Sequence, residues 1–356
     1  MEASLNIGGR VISRAEKPYF IADIAANHDG DLSRAYKLIE LAKEAGADAA
    51  KFQNFKAELI VSRTGFASLG RQLSHQASWK KSVFEVYQDA SLQDDWSELL
   101  HQKCKETGIE YMTSPYDFAS VDWADRYVHA FKIGSGDITW PEMLQYISEK
   151  GKPVLLATGA SRWADVDRAV EIVRKAPAGY ALMQCNTNYT ASPENMKHIN
   201  LQVLQKYSQR YPDAVLGLSD HTHGNVTVLG AIALGARVIE KHFTDDNCRA
   251  GPDHAFSMTP DSWREMVDRS LELFSALGDG EKKIEENEQE AAVIQRRALF
   301  TARAMRAGEL VTEGDLIPLR PVPPDGIPPY EAEQVIGQRL KRDVAQDTYL
   351  RWEDLI

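Results

Sequence analysis

His221 and His242 stand at equivalent points of two consecutive apolar runs. Ala214 to Leu218 and Ala236 to Ile239 each read as a buried strand that ends abruptly in polar residues, Ser219-Asp220-His221 in the first and Glu240-Lys241-His242 in the second. Val226 to Leu234 leaves room for one helix between them. Strand, helix, strand with chemistry at both strand ends is the pattern of a (β/α)8 barrel, whose active site collects at the C-terminal mouth. Two neutral imidazoles delivered there side by side suit a divalent metal that keeps positions open for substrate. The plainer reading of either ring alone is a hydrogen bond in the mouth or packing in a loop.

The elements needed to position these rings are legible upstream. Leu5 to Ile12 reads as a hairpin turning at Gly8-Gly9, placed to plug the closed end of a barrel. Buried strands are expected at Tyr19 to Ala25, Ala47 to Gln53, Glu110 to Pro115, His129 to Asp137, Pro153 to Gly159 and Ala181 to Cys185, with the two histidine strands as seventh and eighth. Helical spacing covers Leu32 to Ala45, Ser91 to Thr107, Phe118 to Arg126, Trp140 to Lys150, Ala164 to Lys175 and Asp261 to Leu277. Right-handed crossovers then allow a closed barrel or an open doubly wound sheet, and polar endings on nearly every strand favour the barrel.

After a Gly- and charge-rich joint from Gly278 to Glu290 the texture changes. Arg297 to Arg303, Gly308 to Thr312 and Val335 to Leu340 read as short strands around a proline-dense stretch from Pro318 to Pro329. The expected division is a barrel over 1–280, a linker over 281–295 and a small β-rich domain over 296–356. About 60 residues are marginal for independent stability, so the small domain is expected to dock on something.

Composition limits the function. The net charge of -11 disfavours nucleic acid and makes any phosphate site a local basic concentration. No apolar stretch approaches the roughly 20 residues of a membrane span, and Met1 to Arg14 lacks the apolar core of a signal peptide, so no membrane role and a cytoplasmic location are expected. Cys104, Cys185 and Cys248 form no CxxC pair and read as free thiols.

The strand ends carry a set of short motifs in order: Asn27-His28-Asp29-Gly30, Lys51-Phe52-Gln53, Lys132-Ile133-Gly134-Ser135, Leu218 to His221, Glu240 to His242 and Gly251-Pro252-Asp253-His254. Together they resemble the sialic acid synthase (nonulosonic acid synthase) family, and the tail, with Gly308-Glu309 and Arg320-Pro321, is similar to that family's C-terminal antifreeze-like SAF domain. The resemblance spans almost the whole chain. It implies a (β/α)8 barrel joined to a SAF domain in a domain-swapped homodimer. It also implies condensation of phosphoenolpyruvate with the open-chain aldehyde of an N-acylated hexosamine, releasing phosphate and a nine-carbon 2-keto acid.

Within that reaction a divalent ion on His221 and His242, Mn²⁺ or Mg²⁺ by resemblance and Zn²⁺ by ligand chemistry alone, can polarise the aldehyde oxygen as phosphoenolpyruvate attacks. Asp23 is the expected orienter or base for water at the metal, or else an interior carboxylate paired with Lys51 or Lys132. Lys51 and Lys132 are expected to hold the phosphate and carboxylate of phosphoenolpyruvate, with Gln53, Ser114, Ser135 and Ser219 adding neutral hydrogen bonds; the alternative is that the lysines neutralise interior carboxylates. Tyr189, Asp137, Asp253 and Ser78 are candidates for the sugar. Arg320 matches the family position that reaches the N-acyl carbonyl from the partner subunit. Asn27 and His28 are expected to shape the first mouth loop, and His254 to orient Asp253.

Several positions depart from the family pattern. Asp23 and Asp137 stand where Glu is usual, Ala157 where many members carry Ser, and Ser78 roughly where an Asn touches the sugar. These changes fall mostly on the sugar side, which leaves the acceptor open among N-acetylmannosamine, its 6-phosphate and 2,4-diacetamido sugars. Two other readings remain: a related synthase acting on a phosphorylated aldose, against which the SAF-like tail speaks, and a silent carbohydrate-binding barrel.

Overall fold

The computed structural model describes residues 3–69, 76, 79–93, 95–190 and 192–356. Ser78, expected on the sugar side, lies outside them. The chain divides into two compact units, one ending at Gly278 and the other starting at Asp279.

In the first unit β1 (Ser4–Ile7) and β2 (Arg10–Ser13) form an antiparallel hairpin. Eight parallel strands follow: β3 (Tyr19–Asp23), β4 (Ala49–Asn54), β5 (Glu110–Pro115), β6 (Phe131–Ile133), β7 (Val154–Ala157), β8 (Tyr180–Cys185), β9 (Val215–Asp220) and β10 (Val238–His242). They pair in sequence order, and β10 closes on β3. Their near-continuous apolar runs suit strands covered on both faces, by helices outside and by packed side chains within.

Helices α1 (Leu32–Glu44), α2 (Ala57–Ile60), α3 (Arg63–Ser68), α4 (Val83–Ala90), α5 (Trp96–Thr107), α6 (Phe118–Ala124), α7 (Pro141–Ser148), α8 (Trp163–Val173), α9 (Val203–Arg210), α10 (Val226–Ala233) and α11 (Pro260–Leu277) lie between and after the barrel strands. Their starts follow local chemistry. The Asp31 carboxylate accepts from the Ser33 and Arg34 amides, and proline occupies the first turn of α7 and α11. No helix among the described residues is long and apolar enough to cross a membrane.

The hairpin closes the bottom of the barrel as its sequence suggested. Leu5, Ile7 and Ile12 pack with Tyr19, Ile21, Ala49, Met112, Leu155, Val215 and Val238. Burying those three hairpin side chains contributes roughly 5–9 kcal/mol. The turn needs its glycine: Gly8 has φ +58, and a Cβ there would lie 2.4 Å from Glu110 Oε2.

Some expected elements fall differently. The fourth strand, expected over 129–137, is only three residues long, because the chain leaves the ladder at Gly134 and turns into a 3-10 helix over Ser135–Thr139. The helix expected from Ser91 begins at Trp96. It is preceded by a separate α4, whose start is fixed by a reciprocal Ser82/Glu85 capping box. Helix α9 has no counterpart in the sequence reading.

In the second unit the stretch expected as a linker, 281–295, contains α12 (Gln289–Ile294). β11 (Ala298–Thr301) pairs antiparallel with β12 (Leu316–Leu319), and α13 (Ala332–Val335) follows. Gly308 to Thr312 and Val335 to Leu340, expected as strands, contribute only isolated bridges, Leu310 to Arg339 and Leu340 to Leu355. Left-handed backbone at Gly308 (φ +83) and Gly337 (φ +90) interrupts any longer ladder there. Leu299, Met305, Val311, Ile327, Val335 and Leu340 are among the residues of its own small core.

Candidate active site

Strand parity builds the site. Side chains two residues apart share a face. Above the apolar lower layer of Tyr19, Ile21, Ala49, Met112 and Val238, the same inward face continues as Asp23 on β3, Lys51 and Gln53 on β4, Ser114 on β5, Ser219 on β9, and Glu240 and His242 on β10. The register sets Asp23 beside both Lys51 and His242, and Gln53 beside Ser114. Asp23, Lys51, Ser114, Lys132, Ser219, Glu240, His221 and His242 are all buried.

Lys51 Nζ lies 2.7 Å from Asp23 Oδ2 and 4.0 Å from Glu240 Oε2. Lys132 Nζ lies 3.2 Å from Glu240 Oε1, which also accepts from Ser219 Oγ at 3.0 Å. Two ammonium groups thus face two carboxylates. Burial works against the charge on Glu240, but Lys132 and Lys51 outweigh it and hold that carboxyl down at about 2. For Asp23 burial prevails, and its carboxyl is raised in spite of Lys51. Burial also opposes the charge on Lys51, yet Asp23 and Glu240 raise its pKa. Asp23 is held further by the Ala25 amide at 3.1 Å and by Gln53 Nε2 at 3.3 Å.

The imidazoles come together as expected, with ring centroids 5.3 Å apart. His221 Nδ1 lies 2.9 Å from the carbonyl oxygen of Asn186. A carbonyl can only accept, so Nδ1 carries the proton and Nε2 keeps its lone pair. His242 Nε2 is 3.6 Å from Asp23 Oδ2, and its buried Nδ1 meets no hydrogen-bond partner among the described residues. Burial, helped by the neighbouring His242 for His221 and by Lys51 for His242, lowers both rings to about 3. Both are therefore neutral at physiological pH, the state a metal ligand requires. A carbonyl-oriented ring beside an orphaned ring nitrogen fits a divalent ion. Among the described residues no group of three or more His, Cys, Asp or Glu is arranged to hold one. Any ion here would draw its remaining ligands from water or substrate.

A further corner forms around the end of β7. Ser135 Oγ accepts from the Gly159 amide at 2.9 Å. A Cβ on Gly159 would lie 2.8 Å from that oxygen and 3.1 Å from Cys185 Sγ, so backbone and side chains approach closely there. Asp137, in the 3-10 helix after β6, is pushed up to about 6 by burial, with Lys132 opposing.

Outward of the histidines lies an aromatic wall. Tyr189 sits 4.2 Å from the His221 ring, and Phe256 4.9 Å from that of His242. A pocket of about 160 Å³ is lined by Gln53, Tyr116, Tyr189, His242 and Asp253, among others. It shares Ala26, Trp79, Val86, Ala90, Tyr189 and Pro252 with a basin of about 960 Å³ that also reaches Lys80 and Lys81. Asp253 accepts from the Ala26 amide at 3.2 Å, and burial pushes its carboxyl up to about 7.

Asn27 and His28 do shape the first mouth loop. Asn27 Nδ2 donates to the Phe243 carbonyl and to Ser257 Oγ, each at 2.9 Å, and His28 packs on Trp96. His254, expected to orient Asp253, contacts Asp29 (2.9 Å) and Thr244 (2.7 Å) instead, because the 3-10 turn His254–Phe256 aims its ring at the first loop. Arg320 is exposed in the second unit, in the segment after β12. The sequence reading gave no role to Glu240, Tyr116 or Phe256. Glu240 was within reach of it, since it lies two residues before His242 and so shares the inward face.

The family model for the NeuB family matches residues 38–282, and a SAF domain matches 296–356. The chain belongs to the NeuB family. Among relatives of this NeuB-family chain, "N,N'-diacetyllegionaminic acid synthase" of Legionella pneumophila is 34% identical over 95% of this chain and 94% of its own. "N-acetylneuraminate-9-phosphate synthase" of Homo sapiens is 30% identical over 95% and 93%. The crystal structure of an N-acetylneuraminic acid synthetase from Leptospira borgpetersenii, 27% identical, superposes with a TM-score of 0.73 over 82% of this chain and 95% of that one.

Proposed function

We propose that the protein is a nonulosonic acid synthase. It joins C3 of phosphoenolpyruvate to the aldehyde carbon of an open-chain N-acylated hexosamine. Water adds at C2, the bond from C2 to the phosphate's bridging oxygen breaks, and inorganic phosphate departs with that oxygen, leaving a 2-keto sugar acid. The observation that supports this best is the meeting, in one barrel mouth, of two neutral imidazoles with two buried lysines set against two carboxylates.

His221 and His242 would hold a divalent ion, Mn²⁺ or Mg²⁺, which supplies Lewis-acid polarisation of the acceptor's aldehyde oxygen. Lys51 and Lys132 bind the phosphate and carboxylate of phosphoenolpyruvate, exchanging contacts with Asp23 and Glu240 for charge-assisted bonds to the substrate. Ser114, Ser135, Ser219 and Gln53 orient it. Asp23, whose raised carboxyl stands 3.6 Å from His242 Nε2, takes the proton of the attacking water. On the acceptor side Asp253 is poised near pH 7 between donating and accepting to a sugar hydroxyl. Tyr189 and Phe256 keep bulk water from the reacting carbons. Asp137 reaches the acyl substituent.

The working unit is a homodimer in which the SAF domain covers the partner's barrel and the partner subunit's Arg320 meets the N-acyl group. The family likeness supports this, together with exposed Tyr330 and Ile356 in the small unit. The test is phosphate release from phosphoenolpyruvate with Mn²⁺ and a panel of N-acetylmannosamine, its 6-phosphate and 2,4-diacetamido-trideoxyhexoses. One acceptor should give turnover; no release with any of them contradicts the assignment.

A further inference from the structure

Behind the two histidines, on the outward face of the same strands, lies a second pair of charges that the proposed reaction does not use. Asp220 and Lys241 are register partners, the last paired rung between β9 and β10 before the chain reaches His221 and His242. Both side chains are 1% exposed, and Lys241 Nζ lies 2.5 Å from Asp220 Oδ2. The same carboxylate oxygen accepts from Thr222 Oγ1 at 2.9 Å and from Thr227 Oγ1, in the first turn of α10, at 2.7 Å. Asp220 Oδ1 accepts from the Thr222 amide at 3.2 Å, and Lys241 Nζ donates to the Thr222 carbonyl at 2.6 Å.

A buried ion pair is not a good stabiliser. Desolvating two charges costs several kcal/mol per ion, and well-packed apolar residues of similar volume often do as well or better. Two residues earlier on the same two strands the helix-facing layer is apolar, at Leu218 and Ile239. What the pair provides is geometry. His221 is flanked by Asp220 and Thr222, both gripped by the network, and His242 follows the lysine directly. The ends of β9 and β10 cannot splay or twist without breaking a charged hydrogen bond.

We infer that Asp220 and Lys241, with Thr222 and Thr227, form a positioning clamp that fixes the separation and orientation of His221 and His242 for divalent-metal binding. The inference rests on the functional reading above. Neither clamp residue touches substrate; they act through the neighbouring imidazoles, as outer-shell partners do when their loss weakens metal affinity about 10- to 100-fold.

The test is a Mn²⁺ titration of the full-length chain, followed by calorimetry, for wild type and for the double variant Asp220→Leu/Lys241→Met. That variant replaces the pair by apolar side chains of similar volume and is expected to melt within a few degrees of wild type. A clamp predicts Mn²⁺ binding weakened about 10- to 100-fold, with turnover recovering as Mn²⁺ is raised and KM for phosphoenolpyruvate unchanged. A folded double variant that binds Mn²⁺ as tightly as wild type overturns the clamp but leaves the functional reading intact. Wild type that binds no divalent ion overturns both. If the double variant does not fold, Thr227→Val, which removes one hydroxyl from Asp220, takes its place: a several-fold loss of Mn²⁺ affinity supports the clamp, and none refutes it.

Discussion

Lys132 and Glu240 meet across the barrel mouth with Nζ 3.2 Å from Oε1, while the other carboxylate oxygen of Glu240 lies 4.0 Å from Lys51. One carboxylate therefore stands between the two cations assigned to phosphoenolpyruvate. Glu240→Gln removes that charge and leaves Lys132 buried without its counter-ion, at a cost of about 3 kcal/mol in the ligand-free protein. An anion should replace what was lost. Thermal melts with and without phosphoenolpyruvate are expected to show a larger upward shift for the variant than for wild type. Equal shifts would mean that the ligand does not reach the lysines.

Gly159 sets the shape of the corner near Lys132. A Cβ there would fall 2.5 Å from Thr187 Cγ2 and 2.8 Å from Ser135 Oγ. Gly159→Ala must displace Ser135 and strain the corner by about 1–3 kcal/mol. Steady-state kinetics should give a KM for phosphoenolpyruvate raised about tenfold, with the KM for the acceptor little changed. An acceptor-side effect instead would move the phosphoenolpyruvate site elsewhere.

The neutral histidines couple stability to pH. His242 is held at about 3 when folded, against an ordinary value near 6.5 when unfolded. The unfolded chain thus binds the extra proton between these values, so this stabilising contribution is complete above about pH 6.5 and is lost as pH falls toward 3. Between pH 6.5 and 4.5 one such group accounts for roughly 2 kcal/mol. Denaturant unfolding of His242→Gln should show a pH dependence shallower than wild type by about that amount. Parallel curves would mean that the ring is protonated in the native protein.

Much of this molecule is legible in its sequence because barrel strands buried on both faces announce themselves as apolar runs, and the residues just after them fall at the mouth. At such strand ends stand Lys51, Lys132, His221 and His242, and the structure sets them in one mouth with Asp23, which the family resemblance singles out. That logic works less well where structure depends on partners distant in sequence. The outward Asp220–Lys241 pair shares its strands with the histidines, and only the three-dimensional register reveals that the two charges meet. The 3-10 turn over Ser135–Thr139 cuts short a run that otherwise reads as strand, and Gly134 before it is itself extended (φ -67, ψ 153), so no local backbone signal marks the break. The direction of His254 depends on a turn whose geometry no periodicity encodes.

The account stands most directly on acceptor-dependent phosphate release from phosphoenolpyruvate, measured at saturating Mn²⁺ for wild type and His242→Ala. It predicts robust release by wild type and a loss of about a thousandfold in the variant, several kcal/mol of lost transition-state stabilisation, while the variant still unfolds cooperatively. Release by a folded His242→Ala protein at the wild-type rate would contradict it.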